Sequence, residues 1–165
     1  MTDFALVTAG GRLRFRDMSF RAALGKGGVR ADKREGDGAS PAGHLPLRRV
    51  FYRADRVSRP VAGVPVAPLA PQDGWCDDRT HRDYNLGVTL PHPARCEELW
   101  RPDEVYDVIG VLGWNDAPVV AGRGSAIFLH VARPYYAPTE GCVALERADL
   151  LRLLAAGCCG ISVEE

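Results

Sequence analysis

The chain has 165 residues, 46% of them hydrophobic and 25% charged, with 21 basic against 21 acidic side chains. These values describe one globular domain over residues 1–165 with enough chain for a core, and they exclude a disordered or collagen-like polymer. Zero net charge argues against nucleic acid as a partner, and no apolar run is long enough for a transmembrane helix.

The opening stretch, "MTDFALVTAGGRLRF", has no basic leader and no long apolar segment, so no secretory signal is expected. It predicts strands at 4–8, 12–16 and 19–24, with a turn at Gly10–Gly11. Leu13 and Phe15 alternate with arginines, the period of a half-buried strand. Glycine, proline and charge then mark a loop to Pro46, followed by a strand over 47–52. The cluster Gly25–Gly28 lacks the Lys-Ser/Thr pattern of a phosphate loop and is a turn. Residues 1–60 carry thirteen basic and six acidic side chains, and the remainder eight and fifteen. Two readings stand: halves that neutralise each other on packing, or a basic groove for an anionic ligand.

From Pro60 to Trp100 many prolines predict a long ordered loop region with short strands. Its Trp75, Tyr84 and Asn85 are candidate groove residues or, alternatively, anchors to the core. Two strands follow, at 106–112 and 125–132, joined by a loop containing Asn115. "ERADLLRLLAAG" is the clearest helix, with Leu150, Leu151 and Leu154 on a face with Arg147 and Gly157 as its stop. The sum is a mainly β domain.

Five cysteines, Cys76, Cys96, Cys142, Cys158 and Cys159, form no regular framework, and Cys158 and Cys159 fit small core residues. The histidines, His44, His81, His92 and His130, show no zinc-ligand spacing, so no metal is expected. The segment "GSAIFLHVARPYYAPTEGCVAL" is different. His130 ends an apolar run, and Cys142 follows Gly141 twelve residues on, past Pro134 and Pro138. A thiol near its ordinary pKa is mostly protonated at neutral pH, and a histidine within reach can activate it as a thiolate–imidazolium pair. Glycine before the cysteine permits a tight turn whose amides, of Gly141 and Cys142, can face an oxyanion. On pattern alone the same residues also fit a core cysteine packed beside a strand histidine.

This segment resembles the active-site region of the L,D-transpeptidase catalytic domain family (YkuD-like), in which a histidine at a strand end precedes Ser/Thr-x-Gly-Cys; here that motif is Thr139-Glu140-Gly141-Cys142. "DGASPAGHLPL", Asp37 to Leu47, resembles the family's Thr-Pro-x-Gly segment, with Ser40 in place of threonine. The resemblance implies a β-sandwich-like fold with one or two short helices and a cell-wall enzyme of the bacterial envelope. Cys142 would attack a peptidoglycan stem tetrapeptide and release D-alanine. His130 would act as base, oriented by the Val131 carbonyl, and an amine would accept the acyl group. The implied catalytic set is Cys142, His130 and Gly141, working without metal or cofactor. Ser125, Thr139, Arg133, Tyr84, Asn85 and Asn115 are the expected substrate contacts. The chain departs from the family at Glu140, where a histidine is common, and at Ala144, where arginine or asparagine is common; Arg133 or Arg123 is the expected substitute. A carboxypeptidase with the same site, or a non-catalytic muropeptide-binding relative, are the alternatives.

Overall fold

The computed structural model describes residues 3–165. Strands β1 (Phe4–Thr8), β2 (Arg12–Phe15) and β3 (Met18–Arg21) form an antiparallel meander. Leu13 and Phe15 point inward while Arg12 and Arg14 face solvent, as their alternation predicts. Two short strands, β4 (Val29–Arg30) and β5 (Ser40–Pro41), pair in parallel and bracket the glycine-rich loop. The predicted strand over 47–52 is the second half of a longer one, β6 (Gly43–Tyr52).

The proline-rich region contains β7 (Val66–Pro68), which pairs with β6, and then β8 (Asp73–Cys76), β9 (Gly87–Thr89) and β10 (Cys96–Glu98). The last three form a separate small sheet in the order β10-β8-β9. Next come β11 (Val108–Leu112), β12 (Phe128–Val131), β13 (Val143–Leu145), the helix α1 (Arg147–Ala155) and β14 (Gly160–Val163). The main sheet runs β13-β12-β11-β6-β14-β1-β2-β3, with β14 parallel to β1 and central. It nearly closes on itself: beyond β3, Ala23 and Ala144 exchange backbone hydrogen bonds of 2.8 and 3.0 Å. The fold is mainly β and sandwich-like, as expected.

Alternation along β11 and β12 builds two cores. Val108, Leu112, Leu129 and Val131 join the main core with Val143, Leu145 and α1. Ile109, Val111 and Phe128 point the other way, into a second core that includes Leu69, Leu99, Tyr106 and Cys142. Every residue of β11 and β12 is buried because both faces are covered, which explains their nearly continuous apolar sequences. In α1 the buried residues are Leu150, Leu153 and Leu154; Leu151 is only half-buried, a one-position rotation of the predicted face. The i, i+3, i+4 spacing of the buried trio matches the helical repeat better than the predicted set. Cys158 packs in the main core, whereas Cys159 is half-buried.

Candidate active site

Parallel pairing of β12 and β13 places Leu129 opposite Val143, His130 opposite Ala144 and Val131 opposite Leu145. Since Leu129, Val131, Val143 and Leu145 all face the main core, strand alternation turns His130 and Cys142 to the other side. Both line one cavity of about 300 Å³. The twelve-residue interval between them is the connection that brings β13 alongside β12. It contains a short 3-10 turn, Pro134–Tyr136.

The turn before the cysteine is tightly specified. Gly141 has φ +133°, and a Cβ there would lie 2.8 Å from the Ala39 carbonyl oxygen. Only glycine fits both the conformation and the space. The Thr139 hydroxyl donates to the Cys142 carbonyl at 2.6 Å and accepts from the Gly141 amide at 3.1 Å. The buried Ser40 hydroxyl accepts from the Gly25 amide at 2.9 Å and donates to the same Cys142 carbonyl at 3.4 Å. Asp37 holds this supporting loop through Lys33 (2.5 Å) and the Ala39 amide (2.9 Å). The segment from Asp37 to Ser40 is therefore a buttress beneath the cysteine turn.

His130 Nδ1 lies 2.9 Å from the Val131 carbonyl oxygen. A carbonyl only accepts, so the proton sits on Nδ1 and Nε2 carries the free lone pair. Burial lowers the imidazole pKa to about 4, against the Val131 bond, which raises it. Burial likewise pushes the Cys142 thiol up to about 12, with the negative charge of Glu97 acting in the same direction. The thiol donates to the Ala126 carbonyl at 3.2 Å and accepts from the Phe128 amide at 3.3 Å. Burial thus favours a neutral thiol and a neutral imidazole at rest, each bonded to backbone groups, in place of the expected thiolate–imidazolium pair. Of the two amides expected to face an oxyanion, one is already engaged. The Gly141 amide is taken by Thr139, and the Cys142 amide is the member that this contact leaves free.

Of the expected substrate contacts, Ser125, Thr139 and Arg133 line the cavity. Arg133 is exposed at its mouth, and Arg123 is not part of the lining. Ser125 donates to Glu35 at 2.6 Å. Tyr84, Asn85 and Asn115 are not in the lining. The Tyr84 hydroxyl bonds Glu35 and the Gly124 amide. Asn85 spans the Trp114 and Asn115 carbonyls, the Trp75 indole and the Ala126 amide. Asn115 bonds Val120 and the Gly124 carbonyl. Their polar atoms satisfy loop backbone that would otherwise be buried without partners. Trp75 packs edge-on against Phe128 at 5.1 Å, which makes it a core anchor as well.

The cavity also holds residues that sequence reasoning missed: Glu35, Asp77, Glu97, Arg101, Tyr106 and Glu140. Four carboxylates against two arginines is the reverse of a basic groove. Glu97 accepts from the Tyr106 hydroxyl, and burial raises its pKa. The Tyr106 ring meets His130 edge-on at 5.4 Å and so fixes the imidazole plane. Tyr106 opened a predicted strand, and an aromatic at such an edge was the available signal. Glu97 gave none, since its role depends on the small sheet folding over the site. Glu140 pairs with Lys26 at the rim. The grouping of potential metal ligands found among the described residues, His81, Asp83 and His92, is outside this lining.

A cysteine on a constrained Gly-Cys turn thus lines the same cavity as a tautomer-fixed histidine from the neighbouring parallel strand, on a mainly β scaffold. The sequence model of the L,D-transpeptidase catalytic domain (YkuD) matches residues 3–156, and the chain belongs to that family. Neither a curated protein nor a solved structure matches it. No helix is long and apolar enough to cross a membrane.

Proposed function

We propose that the protein is an L,D-transpeptidase that takes the acyl group of a peptidoglycan stem tetrapeptide onto Cys142 and passes it to an amine. The observation that carries this reading is the shared cavity of Cys142 and His130, with the His130 Nδ1–H on the Val131 carbonyl. In the first half-reaction Sγ attacks the carbonyl carbon of the L-centre while its proton moves to Nε2. Ionising either group alone is unfavourable in this pocket, so the proton moves together with formation of the C–S bond. The tetrahedral oxyanion accepts from the free Cys142 amide. Collapse breaks the C–N bond, the imidazolium returns the proton to the leaving amine, and D-alanine departs. In the second half-reaction an acceptor amine attacks the thioester, His130 takes its proton, and the thiol is regenerated. Arg101 is engaged bidentately by Asp103, which leaves the exposed Arg133 to meet a substrate carboxylate. This family is associated with the cell envelope, which is where such a substrate is found.

The test is mass spectrometry of the protein after incubation with stem tetrapeptide, with and without an acceptor amine. A thioacyl adduct confined to Cys142, with D-alanine released, supports the reading. Product carrying the amine marks transfer, and tripeptide alone marks a carboxypeptidase. Binding of tetrapeptide with no adduct and no D-alanine release refutes catalysis.

A further inference from the structure

One cluster has no part in this reaction. His81 and Asp83 lie on the loop after β8, and His92 on the segment entering β10. His92 Nε2 is 2.9 Å from Asp83 Oδ2, and His81 Nδ1 is 3.8 Å from the same oxygen. The two rings meet edge-on at 4.9 Å, and one ligand atom from each of the three residues falls within 4.8 Å of the others. Backbone amides already orient both rings: Asp83 N–H donates to His81 Nδ1, and Ala94 N–H to His92 Nδ1, each at 3.0 Å. Those contacts put the His92 proton on Nε2, directed at the carboxylate. All three residues are half-buried, open enough for an ion to enter.

We propose that His81, Asp83 and His92 form a binding site for a divalent transition-metal ion of the zinc type. Two imidazoles and a carboxylate are a ligand set suited to such an ion, with water in the fourth position. Metal–ligand bonds of about 2.0–2.2 Å at tetrahedral angles separate donor atoms by roughly 3.3–3.5 Å. The observed 2.9 and 3.8 Å lie on either side of that spacing, and binding through His81 Nδ1 requires that atom to release the Asp83 amide, which turns to solvent. The ion takes the place of the Nε2 proton, which is released to solvent. The sequence concealed the site because its spacing, His-x-Asp and then nine residues to histidine, matches no zinc pattern and depends on the loop doubling back. The clasp would tie together the segment between Asp77 and Glu97, both of which line the catalytic cavity.

The test is titration of chelator-stripped full-length protein with Zn²⁺ against a chromophoric indicator, repeated with C142S, D83N and H92Q variants. The expected result is one equivalent bound by the wild type and by Cys142→Ser, with at least about tenfold weaker binding in Asp83→Asn and His92→Gln. Asp83→Asn keeps an acceptor for His92 and so guards against a folding artefact. Zn²⁺ should also raise the Tm of the wild type and not of Asp83→Asn. No binding by the wild type, or binding unchanged in both cluster variants, overturns the site. With Co²⁺, weak visible bands fit this ligand set. An intense near-ultraviolet sulfur charge-transfer band would place a thiolate such as Cys96, 3.5 Å from His92 Nδ1, on the ion and refute the three-ligand set.

Discussion

The ionisation of Cys142 makes the sharpest prediction. With its pKa pushed up to about 12, the thiol should react slowly with a small dialkyl disulfide at neutral pH. At pH 7.5 its thiolate fraction is about 3 × 10⁻⁵, against about 0.1 for a free thiol of pKa ~8.5, a deficit of roughly 3.5 log units. The higher basicity of the thiolate recovers about 1.6 of these at a Brønsted coefficient of ~0.45. Cys142 should therefore react about a hundredfold more slowly than a free cysteine peptide, before any penalty for its 8% exposure. The rate should climb about tenfold per pH unit from pH 6 to 10, because the titration lies above that window. Peptide mapping by mass spectrometry after timed quenching measures it, with Cys142→Ser as the control. Fast labelling that is independent of pH between 5 and 8 would refute the neutral resting pair and restore a preformed thiolate–imidazolium.

Three further predictions follow from the same geometry. Because the folded-state pKa of His130 is depressed to about 4, the unfolded chain binds the proton more readily. Stability present above pH 6.5 is then lost as pH falls towards 4, by about 3 kcal/mol for this residue. Urea unfolding across that range should show a flatter profile for His130→Gln, and identical slopes would contradict the burial argument. Gly141→Ala should cost about 2–3 kcal/mol from its positive φ and the Ala39 oxygen; a loss under about 0.5 kcal/mol in urea unfolding would mean the turn is not constrained. Arg133→Ala should raise KM about tenfold or more with kcat nearly unchanged, the loss of one charge-assisted contact. A fall in kcat at constant KM, in steady-state D-alanine release, would remove Arg133 from carboxylate binding.

The alternation of Leu13 and Phe15 with arginines, and the unbroken apolar runs of β11 and β12, made the sheet legible. The spacing of His130, Gly141 and Cys142 made the site legible, because a motif that brings two strands side by side keeps its partners close in sequence. Other features left no such trace. The strand β14 spans only Gly160–Val163, too short to carry a readable alternation, yet it occupies the middle of the sheet. Tyr84, Asn85 and Asn115 lie outside the cavity lining and bond to loop groups, and a polar side chain on a long loop reads the same in sequence whether its partner is a ligand or a backbone amide. The charge state of the sulfur depends on its burial in the second core and on the charge of Glu97, which no linear pattern records.

The seam between Ala23 and Ala144 ties the placement of Cys142 to the completion of folding. The segment carrying Cys142 is held on one side by β12 and on the other by residues more than a hundred positions earlier, which rest on a meander docked to the last strand. Such distant pairings are slow to form. A partly synthesised or proteolytically nicked chain lacking either end would leave that segment's free edge exposed, so Cys142 acquires its aligned neighbour only when the entire ring of strands has met.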